Sequence, residues 1–249
     1  MRKLFELTGK VIAIVGAGSG IGAAVSRGAA DLGARVERFD IKEDASQEVA
    51  PLDIRESASV DRALGAVRER HGRLDAVICT PSINVRKKIL DYSDEELDRV
   101  LALNIKGNFN VLRAAGRIMT VDQRGSIVLF SSIRAQVVEP GQSVYAATKA
   151  GILQLARTAA AEFGPFGVRV NAVAPGVIET PLTAPIKANE AWYKAYADKT
   201  VFKRWGQADE MIGPTLFLVS DAASYVTGTL LVADGGWLAA DGRFTPPGM

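Results

Sequence analysis

The chain has 249 residues, long enough for one large α/β domain spanning 1–249, in which about 75% of the unfolded surface is buried by size scaling. Lys plus Arg number 30 against 28 Asp plus Glu, a formal charge of +2 with the signs interspersed, so no field draws the protein to nucleic acid or an anionic membrane and a small molecule is the expected partner. A single cysteine, Cys79, excludes an internal disulfide, and a single histidine, His71, leaves no cluster to hold a metal.

The opening MRKLFELTGK lacks the apolar core of a leader, and no apolar run reaches the roughly 18 residues of a membrane span, so a cytoplasmic protein is expected. Lys10 to Val15 is a β-branched run that leads into GAGSGIG, comprising Gly16, Gly18, Ser19, Gly20, Ile21 and Gly22, and then into a helical pattern. Strand, glycine turn and helix in that order bring backbone N–H groups and a helix N-terminus close to a pyrophosphate. The second strand, Arg35 to Asp40, ends in a carboxylate 18 residues after Gly22, near the spacing at which an acid meets the adenosine ribose hydroxyls. Asp40 would repel a 2′-phosphate and Ser19 is not basic, which argues for NAD, with Arg38 and Lys42 as the opposing cations.

Between Asp40 and the apolar piece Val49 to Ile54 there is room only for a loop or one helical turn, and Asp53 and Ile54 then fall at a strand end. A helix is expected from about Ser57 to His71 with Val60, Leu64 and Val67 on one face, then a strand from Leu74 to Cys79. The polar turn TPSINVRKK follows. Asp94 to Met119 reads as one long helix with an apolar stripe through Leu97, Leu101, Ile105 and Phe109, interrupted by Asn104, whose amide should be hydrogen-bonded.

Gly125 to Ser131 forms the fifth strand and delivers Ser132 at its C-terminal edge. Tyr145 and Lys149 are four apart, on one face of a helix that Ser143 is placed to cap. An ammonium beside a phenol favours phenolate and lowers the tyrosine pKa from its usual value of about 10, which suits proton exchange with an alcohol or carbonyl. Val168 to Ala174 is another buried strand, followed by Pro175, Gly176, Ile178 and Thr180. Leu182 to Arg204 reads as a mobile lid, and a helix near Asp209 to Leu218, a strand near Leu230 to Val232 and the tail GWLAADGRFTPPGM complete the chain. The alternation predicts a Rossmann-type α/β fold, a doubly wound parallel sheet with helices on both faces.

Taken together, GAGSGIG, Asp40, NIKG at Asn104 to Gly107, Ser132 thirteen residues before Tyr145, YAATK, NAVAPGVIET and the DGG at Asp234 to Gly236 resemble the short-chain dehydrogenase/reductase family over nearly the whole length. The resemblance implies a catalytic tetrad of Asn104, Ser132, Tyr145 and Lys149. It further implies a nicotinamide cofactor held by the glycine turn, Asp40, Asp53, Ile54, Cys79, Tyr145, Lys149, Pro175, Gly176, Ile178 and Thr180, and a homotetramer. In the implied mechanism Ser132 holds the substrate oxygen, Tyr145 moves the proton, Lys149 grips the nicotinamide ribose, and Asn104 orders a water linking Lys149 to solvent. Two positions depart from the family pattern. Val15 stands where threonine is usual, at the expense of a local hydrogen bond, and Cys79 to Ser82, CTPS, replaces N-N-A-G beside the adenosine.

SINVRKK resembles the corresponding loop of sugar-acid and polyol dehydrogenases such as gluconate 5-dehydrogenases, so the expected substrate is a small hydroxylated acid or polyol. Arg86, Arg134 and Gln142 are the candidate substrate contacts, the two arginines either converging on a substrate carboxylate or pairing with acids such as Glu139. A 3-oxoacyl-thioester reductase, and a degenerate family member serving as nucleotide sensor or scaffold, are the alternatives.

Overall fold

The structure, a computed structural model, describes residues 2–240. Strands form where β-branched and small apolar residues run together: β1 (Val11–Val15), β2 (Arg35–Asp40), β3 (Val49–Pro51), β4 (Ala76–Cys79), β5 (Gly125–Phe130), β6 (Val168–Pro175), the two-residue β7 (Ile178–Glu179) and β8 (Gly206–Gln207), and β9 (Leu230–Ala233). All but β7 and β8 join one parallel sheet in the order β3-β2-β1-β4-β5-β6-β9. The helices are α1 (Arg2–Phe5), α2 (Gly20–Asp31), α3 (Ser57–His71), α4 (Asp94–Leu101), α5 (Asn108–Asp122), α6 (Ser143–Phe163), α7 (Ala184–Lys187), α8 (Glu190–Lys199) and α9 (Ile212–Val219).

Alternation along β1 explains why its whole length is apolar: Val11, Ala13 and Val15 enter one core, Ile12 and Ile14 the other. The first core is closed by Val60 and Leu64 of α3, Val111 and Ala115 of α5, and Ile152 and Ala156 of α6; the second by Val25 and Ala29 of α2 and Leu216 and Val219 of α9. This is the expected doubly wound sheet. Its order reverses between β1 and β4, so the glycine turn after β1 and the CTPS run after β4 flank one crevice at the C-terminal strand ends.

Helix α3 and the single helical turn before β3, Ala45–Gln47, appear where the sequence placed them. The long helix does not run unbroken. A π-helical turn, Ala102–Gly107, separates α4 from α5, and its extra residue rotates the faces that follow. Val100, Asn104, Asn108 and Val111 become the buried side, whereas Leu101 and Phe109 of the expected stripe are exposed. Ser143 is the first residue of α6 rather than its cap, and Gln142 before it makes no side-chain cap bond.

The segment expected to be a mobile lid is built into the fold as α7 and α8. Its order comes from aromatic packing: Tyr196 lies against Trp205 and Trp237, Tyr193 stacks on Trp205 at 4.9 Å, and the Trp205 indole donates to the Tyr193 carbonyl at 2.9 Å. No helix of the described residues is long and apolar enough to cross a membrane. Residues 241–249 of the tail lie outside the described residues.

Candidate active site

A cavity of about 560 Å³ opens at the reversal of the sheet. Gly16, Ser19, Gly20, Ile21 and Gly22 form one wall, Asp40, Asp53 and Ile54 one end, and Thr180 with Leu182 the other side. The turn must be glycine: Gly16 has φ of 85°, and a Cβ on Gly22 would sit 1.9 Å from the Gly16 carbonyl oxygen. Ser19 stands at the cap position before α2 and makes no side-chain cap bond, which leaves the first-turn N–H groups to an anionic ligand. Asp40 anchors the turn by accepting from the Gly18 amide at 2.9 Å and from its neighbour Ile41 at 2.7 Å. Asp53 is held by Arg55 at 2.5 Å, which keeps its carboxyl below the usual range. A narrow glycine cradle, an open helix N-terminus and a terminal carboxylate fit a dinucleotide.

Some expected contacts lie elsewhere. Cys79 is wholly buried in the core of β4 and does not line the cavity; burial pushes its thiol up to about 12, so it remains a protonated filler. The lining from that run is Thr80, Pro81 and Ser82. Pro175 and Ile178 are buried and line none of this cavity, and Gly176 belongs to the neighbouring recess. At Val15 the backbone is tied from across the crevice: the Thr80 hydroxyl, just past β4, lies 3.1 Å from the Val15 carbonyl oxygen and 3.3 Å from that of Gly16.

Beside the large cavity, with Leu182 in both linings, lies a recess of about 60 Å³ that contains Ser132 and Tyr145. β5 delivers Ser132, and α6 carries Tyr145 and, one turn later, Lys149. The Lys149 ammonium lies 5.5 Å from the centre of the Tyr145 ring and donates to the Phe130 carbonyl at 2.8 Å. Burial pushes Lys149 down to about 8. Burial also raises the Tyr145 pKa, against the expected lowering; a hydrogen bond with Ser132 pulls the other way, and the cations that assist it are Arg86 and Arg134 rather than Lys149.

Asn104, turned inward by the π-helical turn, satisfies its amide as expected. It accepts from the Ile83 amide at 2.9 Å and donates to the Ile83 carbonyl at 2.9 Å and to Thr148 Oγ1 at 3.1 Å. It thereby clamps the loop after β4 to α6 beside Lys149. Its own carbonyl accepts from the Asn108 amide at 3.1 Å.

Arg86, Arg134 and Gln142 all line the recess, and the two arginines do converge, but on Glu139. Arg134 reaches it at 2.6 Å and Arg86 at 3.5 Å, so the alternative pairing is the one formed. Of the polar lining residues, Asn84, Thr183 and Tyr196 were not singled out in the sequence. Asn84 sits in the legible SINVRKK loop, whereas nothing local marks Tyr196, which arrives from α8.

A sequence model of the family described as enoyl-(acyl carrier protein) reductase matches residues 16–238. A 3-oxoacyl-(acyl-carrier-protein) reductase of Thermotoga maritima is 36% identical over 246 residues, covering 93% of this chain and 98% of that one. A galactitol 2-dehydrogenase (L-tagatose-forming) of Cereibacter sphaeroides is 35% identical over 248 residues, covering 95% and 98%. Among solved structures, a gluconate 5-dehydrogenase of Burkholderia cenocepacia in complex with NADP and tartrate superposes with a TM-score of 0.91 at 28% identity, covering 96% of this chain and 99% of that one.

Proposed function

The chain belongs to the short-chain dehydrogenase/reductase family, oxidoreductases acting on CH–OH groups, and from that premise we propose an NAD-dependent enzyme whose substrate is a small polyol or hydroxylated acid. One juxtaposition carries the reading: the polar recess holding Ser132 and Tyr145 adjoins a dinucleotide-sized cavity that ends at Asp40. The glycine turn, α2 N-terminus, Asp40, Asp53 and Thr180 would hold the cofactor, with Lys149 on its nicotinamide ribose. When bound, the nicotinamide supplies the hydride acceptor or donor. Ser132 Oγ holds the substrate oxygen, and Tyr145 takes or returns the hydroxyl proton at its phenolic oxygen. Asn104 acts as a positioning residue, fixing Ile83 against Thr148. The hydroxyl- and amide-bearing side chains that line the recess, Asn84, Ser132, Gln142 and Tyr145, favour this class over an acyl thioester. A panel of polyols and sugar acids, read by formation of reduced nicotinamide, tests it; activity confined to acyl thioesters would refute it.

NAD over NADP is supported by Asp40, whose carboxylate lines the cavity, and by Arg38, which is paired with Glu48 at 3.5 Å. A 2′-phosphate brought to this carboxylate costs more than the roughly 1.4 kcal/mol that equals one decade, so kcat/KM should favour NAD by well over about tenfold. Equal use of the two cofactors would show that Asp40 does not decide.

Assembly as a homotetramer is supported by the outward apolar face of α4 and α5, where Leu101 and Phe109 are exposed. Light scattering should give about four times the 26.5 kDa chain mass, and a monomer would remove the proposal. A wholly buried single thiol accords with the cytoplasm as its compartment.

A further inference from the structure

Glu139 lies behind the substrate recess rather than in it, yet each of its four partners lines that recess. Arg134 binds one carboxylate oxygen at 2.6 Å and Arg86 the other at 3.5 Å, while the Tyr196 hydroxyl donates at 2.5 Å and the Gln142 amide closes on the oxygen that Arg134 holds. Four donors fill the acceptor capacity of a carboxylate. The Arg134 guanidinium is not free to swing forward. The Arg134 side chain is only 8% exposed and rests on the rings of Trp237 and Tyr196, and Arg86 lies over Trp192 at 4.9 Å from its ring centre. A buried guanidinium of this kind needs a counter-ion, and Glu139 supplies it from the chain itself.

The same carboxylate sets the polarity of the recess. Because Glu139 can only accept, Gln142 must turn its NH₂ group toward it and its Oε1 toward Asn84, whose amide donates at 3.0 Å. The Asn84 Oδ1 is then left buried with no hydrogen-bond partner among the described residues. An acceptor in that position is satisfied by a hydroxyl and not by a carboxylate.

We propose that Glu139 is a specificity-determining residue: a resident counter-ion that occupies the meeting point of Arg86 and Arg134 and, through Gln142 and Asn84, makes the recess select a neutral polyol over the matching hydroxy acid. This rests on the substrate class proposed above and chooses within it. An incoming carboxylate meets guanidinium charge that Glu139 already balances and a like charge beyond it, whereas the hydroxyl a polyol carries at the same carbon is a donor for Asn84.

The test compares D-glucitol with D-gluconate on the full chain, by kcat/KM and by calorimetric binding to the NADH-loaded enzyme. The parent should favour the neutral ligand by about tenfold or more, and Glu139→Gln should move that ratio at least about tenfold toward the acid, the size of one charge-assisted hydrogen bond. Glu139→Asp, which keeps the charge, should retain the parent preference. A folded, active Glu139→Gln with an unchanged ratio overturns the inference and leaves the substrate class standing. If the parent turns over neither ligand, the substrate class fails, and binding still decides: tighter gluconate binding to Glu139→Gln supports the counter-ion role, equal binding overturns it. Should Glu139→Gln not fold, parent enzyme that binds gluconate as tightly as glucitol overturns it as well.

Discussion

Tyr145→Phe is expected to lower turnover by roughly 10²- to 10⁴-fold, the contribution of a positioned proton-transfer group, while NADH affinity changes by less than about twofold. The substitution deletes one oxygen and keeps the ring, so the half-buried side chain still packs on α6 beside Lys149. What disappears is a phenolic hydroxyl of the recess that Ser132, Arg86 and Arg134 draw toward the ionised form against the effect of burial. Steady-state rates and a fluorescence titration with NADH separate the two quantities. Turnover within about tenfold of the parent would remove Tyr145 as the proton carrier, and a parallel loss of NADH binding would make it a structural residue.

The second large effect joins activity to stability. Lys149→Met should abolish all but about 1% of turnover and yet stabilise the fold at pH 7 by roughly 1–2 kcal/mol. Burial holds Lys149 at about 8 against 10.5 for a free lysine, a difference on the order of 3 kcal/mol, from which the lost bond to the Phe130 carbonyl subtracts about 1. The sign follows from proton counting. Below pH 8 the lysine is charged in folded and unfolded chains alike and the cost of burying it is full. Between about 8 and 10.5 the unfolded chain binds the extra proton, so the parent gains stability as pH rises. The advantage of the methionine variant should therefore be constant below pH 8 and shrink above it. Urea unfolding at several pH values measures this, and a gap that widens with pH would contradict it.

The sheet, α3 and the short turn before β3 were legible because β-branched runs, a glycine turn and a 3.6-residue period each have one physical meaning. The stripe Leu97, Leu101, Ile105 and Phe109 misled because periodicity assumes an unbroken helix. One extra residue in the π-helical turn hands the buried face to Val100, Asn104 and Asn108. Asn104 carried a real signal, a polar residue demanding partners, although its partners were legible only in space. The packing of the 182–204 segment was illegible for a related reason: Tyr196 and Trp237 are 41 residues apart, and their contact leaves no local trace. The convergence of Arg86 and Arg134 followed from topology, whereas its target was decided by Glu139, five residues from Arg134, a partner that distance in the chain could propose but not select.

A motif written as letters counts two losses in this chain, a threonine missing at the end of β1 and an asparagine run missing from the end of β4. Measured as contacts, the account changes. A hydroxyl stands on Thr80 and points back at the carbonyls of Val15 and Gly16, so the two crevice walls are tied. Such a tie is invisible to any comparison that scores columns one by one, because it joins positions 65 and 64 residues apart. Distant members of a fold family are better sought by the bonds that close the crevice than by the residues that happen to make them.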